Sequence, residues 1–161
     1  MSEEKNRAES VRWLETARGD LTTARVLLSN ERYAHACFHA QQAAEKAMKS
    51  LWYSLDRDPW GHSVRKLIDD LKELHTDYYA RLQDIVPMAA ELDRLYIPTR
   101  YPNGLPDILP DQAYFKRDAE RALELAERLI DRIDQLRDHA DPSPAEDSTE
   151  PPGAAPAGGG P

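Results

Sequence analysis

The chain has 161 residues, 21 Lys and Arg against 29 Asp and Glu, and 40% apolar residues, enough for one domain with its own core and too short for a second. Residues 141–161 hold six of the twelve prolines, four of the seven glycines, four acids and no Lys or Arg. The other 140 residues are poor in the turn residues a many-stranded fold needs, which argues against a β-sandwich or barrel. The single cysteine, Cys37, excludes an intrachain disulfide framework and points to a reducing compartment. No apolar run reaches the length of a membrane span and none follows a basic N-terminus, so the expectation is a cytoplasmic protein without signal peptide or membrane segment.

In chain order, Leu14, Ala17, Leu21, Ala24 and Leu28 recur at steps of three and four, predicting an amphipathic helix over about Ser10 to Ser29. Asn30, Glu31 and Arg32 break it. Tyr33, Cys37, Ala40, Ala44, Ala47, Leu51 and Leu55 then repeat the pattern, and a break this short predicts an antiparallel neighbour. The alanines at 36, 40, 43, 44 and 47 combine helix propensity with small volume, so this second helix is expected at the centre of a bundle. Asp56 to His62, with Pro59 and Gly61, reads as a helix stop and tight connection.

A third helix carries Val64, Leu67, Ile68, Leu71 and Leu74 and gives way near Thr76 to a fourth segment with Leu82, Ile85, Ala89, Leu92 and Leu95, which Pro87 should kink or divide. Ile97 to Pro110 contains Pro98, Pro102, Pro106 and Pro110 and reads as an extended loop, long enough to suggest function. The last helix, about Gln112 to Ala140, aligns Phe115, Ala119, Ala122, Ala126, Leu129, Ile133 and Leu136. The fold class expected is all-α, an antiparallel bundle of four to five helices over 1–140, followed by a disordered Pro-, Gly- and Ala-rich acidic tail over 141–161.

The run Tyr33-Ala34-His35-Ala36-Cys37-Phe38-His39-Ala40-Gln41-Gln42-Ala43-Ala44-Glu45-Lys46-Ala47-Met48-Lys49 resembles the second helix of prokaryotic HEPN domains, where an aromatic and small-residue stretch leads into Gln-Gln-Ala-Ala-Glu-Lys-Ala-x-Lys. Two further pieces fall in the family's order. One is the first helix with Trp13-Leu14 and Asp20-Leu21-Thr22-Thr23-Ala24; the other is the loop Tyr96-Ile97-Pro98-Thr99-Arg100-Tyr101-Pro102, followed by Asp118-Ala119-Glu120. The resemblance covers roughly residues 8 to 137. It implies a helical homodimer that binds a nucleotide or acts on RNA, with a nucleotidyltransferase-type partner protein in a toxin and antitoxin or defence system. Ribonuclease members carry an Arg and a His with four to six residues between them on a late helix. Here no His follows Arg100 within that reach, so ribonuclease activity is left undecided, with a metal-independent endoribonuclease toxin as one alternative and a structural adaptor without ligand as another.

Candidate site residues come from charge and spacing. Arg57 and His62 fit the Arg-to-His spacing, as do Arg32 and His39, but on the wrong elements; Arg57 and His62 are the candidate catalytic pair. His62 has a structural alternative, capping or orienting the third helix. From Arg32 to Lys66 six basic residues face three acids, a net of +3 in a chain of -8, so a local anion-binding surface is compatible with an acidic total. The candidate ligand-binding residues are Gln42, Lys46, Lys49, His62, Arg100 and Tyr101, with the loop after the second helix expected to bring Arg57, His62, Arg65 and Lys66 to one end of the bundle. Structural alternatives stand beside them: Lys46 and Lys49 pairing with the acidic last helix, Arg100 bridging to Glu45, and Gln42 bonding the proline-rich loop. His35 and His39 lie one turn apart, but no third ligand shares their face, so no metal and no cofactor is assigned.

Overall fold

The structure, a computed structural model, describes residues 3–138; the proposed tail over 141–161 and the end of the expected 1–140 domain lie outside the described residues. Among these, eight α-helices and two 3-10 turns occur and no strand: α1 Glu3–Ser29, α2 Tyr33–Ser54, α3 Val64–Asp69, α4 Leu71–Leu74, α5 Thr76–Arg81, α6 Val86–Asp93, α7 Pro110–Ala113 and α8 Lys116–Asp138, with the turns at Gln83–Ile85 and Pro102–Gly104. The all-α bundle anticipated from periodicity is the fold.

Helix α2 lies at its centre, packing on α1, α8, α3, α6 and α7. Its buried side chains include Ala34, Ala36, Ala40, Ala43, Ala44 and Ala47, all fully buried. Small side chains let helix axes approach closely, and the larger residues Leu125, Leu129, Ile133 and Leu136 of α8 and Leu14 and Leu21 of α1 fill the space they leave. Polar cross-links fix the directions. Ser10 donates to the Ser50 carbonyl at 2.7 Å and Lys46 pairs with Asp20 at 2.5 Å, so α1 and α2 are antiparallel. Arg18 meets Asp134 and Arg25 meets Glu127, which makes α1 and α8 antiparallel as well.

Helix α1 begins seven residues earlier than the apolar pattern implies. Asn6 and Ser10 extend the buried stripe of Leu14, Ala17 and Leu21, but they are polar and are buried by hydrogen bonds, to Asp56 and to Ser50, so hydropathy does not reveal them. Helices α3 to α6 form two short arms folded back on each other at His75, whose ring accepts from the Tyr78 amide at 3.2 Å. Pro87 divides rather than kinks its segment, standing in the first turn of α6 where its missing N–H is not needed. Asp93 at the end of α6 caps α3, accepting from the Ser63 hydroxyl at 2.7 Å, the Val64 amide at 2.7 Å and the Arg65 amide at 3.0 Å.

Two expectations change. The loop from Ile97 to Pro110 contains the 3-10 turn at Pro102–Gly104. The last long helix starts at Lys116 instead of Gln112, because Pro110 opens the separate turn α7 and Tyr114 is extended. Phe115, expected on the core face, therefore precedes α8 and is 58% exposed; its amide is capped by Asp118 at 2.8 Å.

The close approach at α2 gives a direct expectation. Ala44→Leu adds volume where no space exists and should destabilise the domain by about 1–3 kcal/mol, measured as a lower midpoint in urea; unchanged stability would mean the helices are not in close contact there.

Candidate functional site

The polar centre of the molecule is Glu45, at mid-helix in α2 and only 3% exposed. A lone buried carboxylate costs several kcal/mol, and this one is answered by four donors. Oε1 accepts from Lys49 Nζ at 2.9 Å and from His62 Nδ1 at 3.1 Å. Oε2 accepts from the Nε2 groups of Gln41 and Gln42, each at 3.3 Å. Those contacts fill a carboxylate's acceptor capacity. Gln41 also donates to the His62 carbonyl at 3.2 Å, and Gln42 to Gln41 Oε1 at 2.8 Å. The Gln-Gln-x-x-Glu-x-x-x-Lys pattern is thus one interlocked network along a single helical face.

His62 reaches Glu45 because the connection after α2 folds back along it, over the nine residues from Ser54, about 14 Å. Asp56 (φ 57°) and Gly61 (φ 89°) take left-handed backbone conformations that reverse the chain. The ring of His62 is 60% exposed and stacks on Tyr96, centroids 5.0 Å apart and planes at 15°. With the Nδ1 proton held by Glu45, Nε2 has no partner among the described residues.

Arg100 lies on the other contact of Tyr96. Its guanidinium is 4.4 Å from the Tyr96 ring centroid, 4.6 Å from Phe38 and 4.9 Å from Tyr101, and its Nε donates to the Tyr96 carbonyl at 3.0 Å. Three rings stabilise a cation without neutralising it, and no carboxylate pairs with Arg100 among the described residues. The alternative of a bridge from Arg100 to Glu45 is not realised, since Lys49 and His62 occupy one carboxylate oxygen and Gln41 and Gln42 the other. Prolines 98 and 102 flank the segment, and Thr99, buried, bonds the Leu95 carbonyl. The loop is therefore fixed on both sides of the arginine.

The remaining candidates separate. Lys49 is committed to Glu45, with its ammonium 5.5 Å from the Trp13 ring centroid. Lys46 pairs with Asp20 of α1; neither lysine pairs with the last helix. Gln42 bonds Gln41 and Glu45 and not the proline-rich loop. The Arg57 amide is bonded to the Trp52 carbonyl at 3.1 Å at the C-terminal end of α2, while His62 Nδ1 lies on Glu45 at mid-helix, and no hydrogen bond or ring contact joins the two among the described residues. Arg65 and Lys66 lie in α3 and pair with Asp69 and Asp70 one turn on.

His62 orients no helix start; Ser63 and Asp93 do that. Tyr96, which joins the two halves of the site, and Phe38, which lies against Arg100, are absent from the ligand-site candidates read from charge and spacing, although their aromatic character beside a cation-bearing loop is the signal that marks them.

His35 faces Asp111 at 3.7 Å and Arg32 at 3.5 Å, whereas His39 faces Asp20 at 3.9 Å. Burial lowers the pKa of His39, with the Lys46 and His35 charges acting the same way and Asp20 opposing. Cys37 between them points into the core, and no group of three or more His, Cys, Asp or Glu suited to a metal occurs among the described residues.

Burial, aided by the Asp118 charge, pushes the Cys37 thiol from its ordinary 9.0 up to about 12. The native chain therefore keeps its proton between these values while the unfolded chain loses it, so this thiol's contribution to stability falls as pH rises above 9.0 and levels off near 12. Thiol reagents at pH 8 should leave Cys37 unmodified in the folded protein and modify it in urea, read by mass spectrometry; rapid native labelling would contradict its burial. A second expectation concerns the carboxylate. Glu45→Gln strands the Lys49 ammonium and should cost about 3 kcal/mol in urea denaturation, with Lys49→Met in the same chain recovering part of that loss.

Comparison with known proteins agrees with this architecture. The HEPN domain model matches residues 10–136. A protein of Methanocaldococcus jannaschii named "Putative toxin MJ1304" is 28% identical over 127 residues, covering 75% of this chain and 83% of its own. Among solved structures, TT1696 from Thermus thermophilus has a TM-score of 0.71 at 38% identity, covering 78% of this chain and 96% of its own. ST0689, an archaeal HEPN homologue, has a TM-score of 0.65 at 32% identity, covering 80% and 97%. An HEPN domain protein of Thermotoga maritima has 0.59 at 30%, covering 78% and 96%. With the family model spanning the bundle from the first third of α1 to the last turn of α8, and with the motif of α2 accounted for by the Glu45 network, this chain belongs to the HEPN domain family.

Proposed function

We propose that this HEPN protein is the toxin-type member of a toxin and antitoxin or defence pair, a homodimer that binds a nucleotide or RNA phosphate and works with a nucleotidyltransferase-type partner. One observation carries the reading: Arg100 is held on three aromatic rings with no carboxylate partner among the described residues, beside a His62 whose Nε2 is free. A guanidinium positioned in this way has lost its side-chain entropy before binding and keeps its donors for a phosphate. Tyr101 walls the same cation, and Gln42 and Lys49 act by holding Glu45. The name of the Methanocaldococcus relative supports the toxin assignment, and the described residues contain no helix long and apolar enough to cross a membrane.

A second reading, a metal-independent endoribonuclease, is favoured by the Glu45–His62 pair. In that reaction His62 Nε2 takes the proton of a ribose 2′-hydroxyl, the oxygen attacks the adjacent phosphorus, and the bond to the 5′-oxygen breaks. The products are a 2′,3′-cyclic phosphate and a 5′-hydroxyl, the latter protonated from water. Arg100 stabilises the charge on the phosphorane, and Glu45 the imidazolium. Arg57 has no part in this step.

Titration with fluorescent nucleotides and short RNA should saturate. Arg100→Ala should weaken binding by about 10- to 100-fold and Lys46→Ala by little; equal binding by Arg100→Ala would place the site elsewhere. Incubation with RNA in chelator tests the second reading: wild type should leave cyclic phosphate ends, and His62→Ala should bind without cutting, whereas no cutting by wild type at high concentration removes it.

A further inference from the structure

The most exposed large apolar side chain among the described residues is Trp60, 84% accessible, two residues before His62. The other two tryptophans are spent in packing: Trp52 is buried with its indole N–H on the Leu67 carbonyl at 3.1 Å, and Trp13 lies against Tyr53. Trp60 is not on a loose end. Its loop is tied at one side by the Arg57 amide on Trp52 and at the other by Gln41 and Glu45 on His62, with Pro59 before it and the left-handed Gly61 after. The indole is therefore presented to solvent by a constrained backbone.

Its neighbours are anchored in order along α2. Arg57 is held through its amide at Trp52, His62 at Gln41 and Glu45, and Arg100 over Phe38. Those anchors are successive positions on α2, and the fourteen residues from Trp52 back to Phe38 span about 21 Å. Connectivity sets Trp60 between Arg57 and His62. The order along α2 is cation, exposed indole, histidine on tyrosine, and cation on aromatics, ending at Tyr101, itself half exposed. Arg57, like Arg100, has no carboxylate partner among the described residues; of the acids beside it, Asp56 is held by Asn6, leaving Asp58 as the one opposing charge in the loop.

Cations alternating with aromatic faces along a track fit a flexible phosphodiester strand whose bases are unpaired, since each base has a face to stack and each phosphate a charge to meet. A duplex hides its base faces, and a mononucleotide engages only one part of the track.

Resting on the proposed phosphate site at Arg100 and His62, we infer that the occupant is single-stranded RNA laid along α2, with an unpaired base stacked on Trp60 and the phosphates between Arg57 and Arg100. Trp60 is the specificity-determining residue for unpaired over paired RNA.

The test is fluorescence anisotropy with full-length protein and three labelled probes: a single-stranded oligoribonucleotide, the same length as an abasic strand, and the same sequence annealed to its complement. Wild type should prefer the first, and Trp60→Ala should weaken it about 10-fold while leaving the abasic strand and the melting temperature unchanged. A labelled mononucleotide should bind wild type and Trp60→Ala alike. Equal affinity of wild type and Trp60→Ala for the single strand overturns the inference, as does a preference for duplex. If Trp60→Ala lowers the mass in sedimentation without changing single-strand affinity, the indole is a contact between copies and the inference is again overturned. Failure of the phosphate reading looks different: wild type and Arg100→Ala then bind the abasic strand equally.

Discussion

A carboxylate buried in the middle of a helix imposes conditions on everything near it. Glu45 stands at the centre of α2, where water cannot solvate it, and each of its oxygens must be met by protein donors. Three of the four come from α2 itself, one turn before and one turn after, which orders that face independently of any neighbour. The fourth comes from His62 and can only be supplied if the chain leaving α2 doubles back. Satisfying one buried charge therefore shapes the loop that carries Trp60 and His62, and it does so while keeping the imidazole in a single orientation.

The second half of the site has the opposite electrostatic logic. Glu45 is fully answered, whereas Arg100 is held by rings that attract its charge and do not cancel it. Tyr96 joins the halves, stacking on His62 and touching Arg100. A neutralised buried network thus supports an unneutralised cation, and the acidic net charge of -8 is no obstacle because the field at a site is set by the groups beside it, and no carboxylate pairs with Arg100 among the described residues. Positioning these groups needs no movement of the bundle, since α2 carries Phe38, Gln41, Gln42, Glu45 and Lys49 on one rigid element.

Much of the bundle was legible in local pattern. The alanines of α2 announced a central helix, and the short Asn30-Glu31-Arg32 break announced an antiparallel partner. What escaped were places where polarity and burial part company. Asn6 and Ser10 are buried through hydrogen bonds, so the first two turns of α1 were hidden from hydropathy. Phe115 is apolar and exposed, because Pro110 and the extended Tyr114 end one helix before the next begins. In the site, Gln42, Lys49, His62 and Arg100 all stand out in the sequence. Their partners were not readable, because a lysine with a carboxylate on either side in space gives the same one-dimensional signal whichever it chooses.

By itself the sequence determined the helical class, the central place of α2, and the family motif, because helix periodicity and side-chain volume act over a few residues. Tertiary structure alone decided that His62 turns to Glu45, that Lys46 turns to Asp20, and that Arg100 rests on Phe38 and Tyr96 instead of bridging to Glu45. These are competitions among donors and acceptors far apart in the chain, and they are settled by which groups the folded backbone brings within hydrogen-bonding distance.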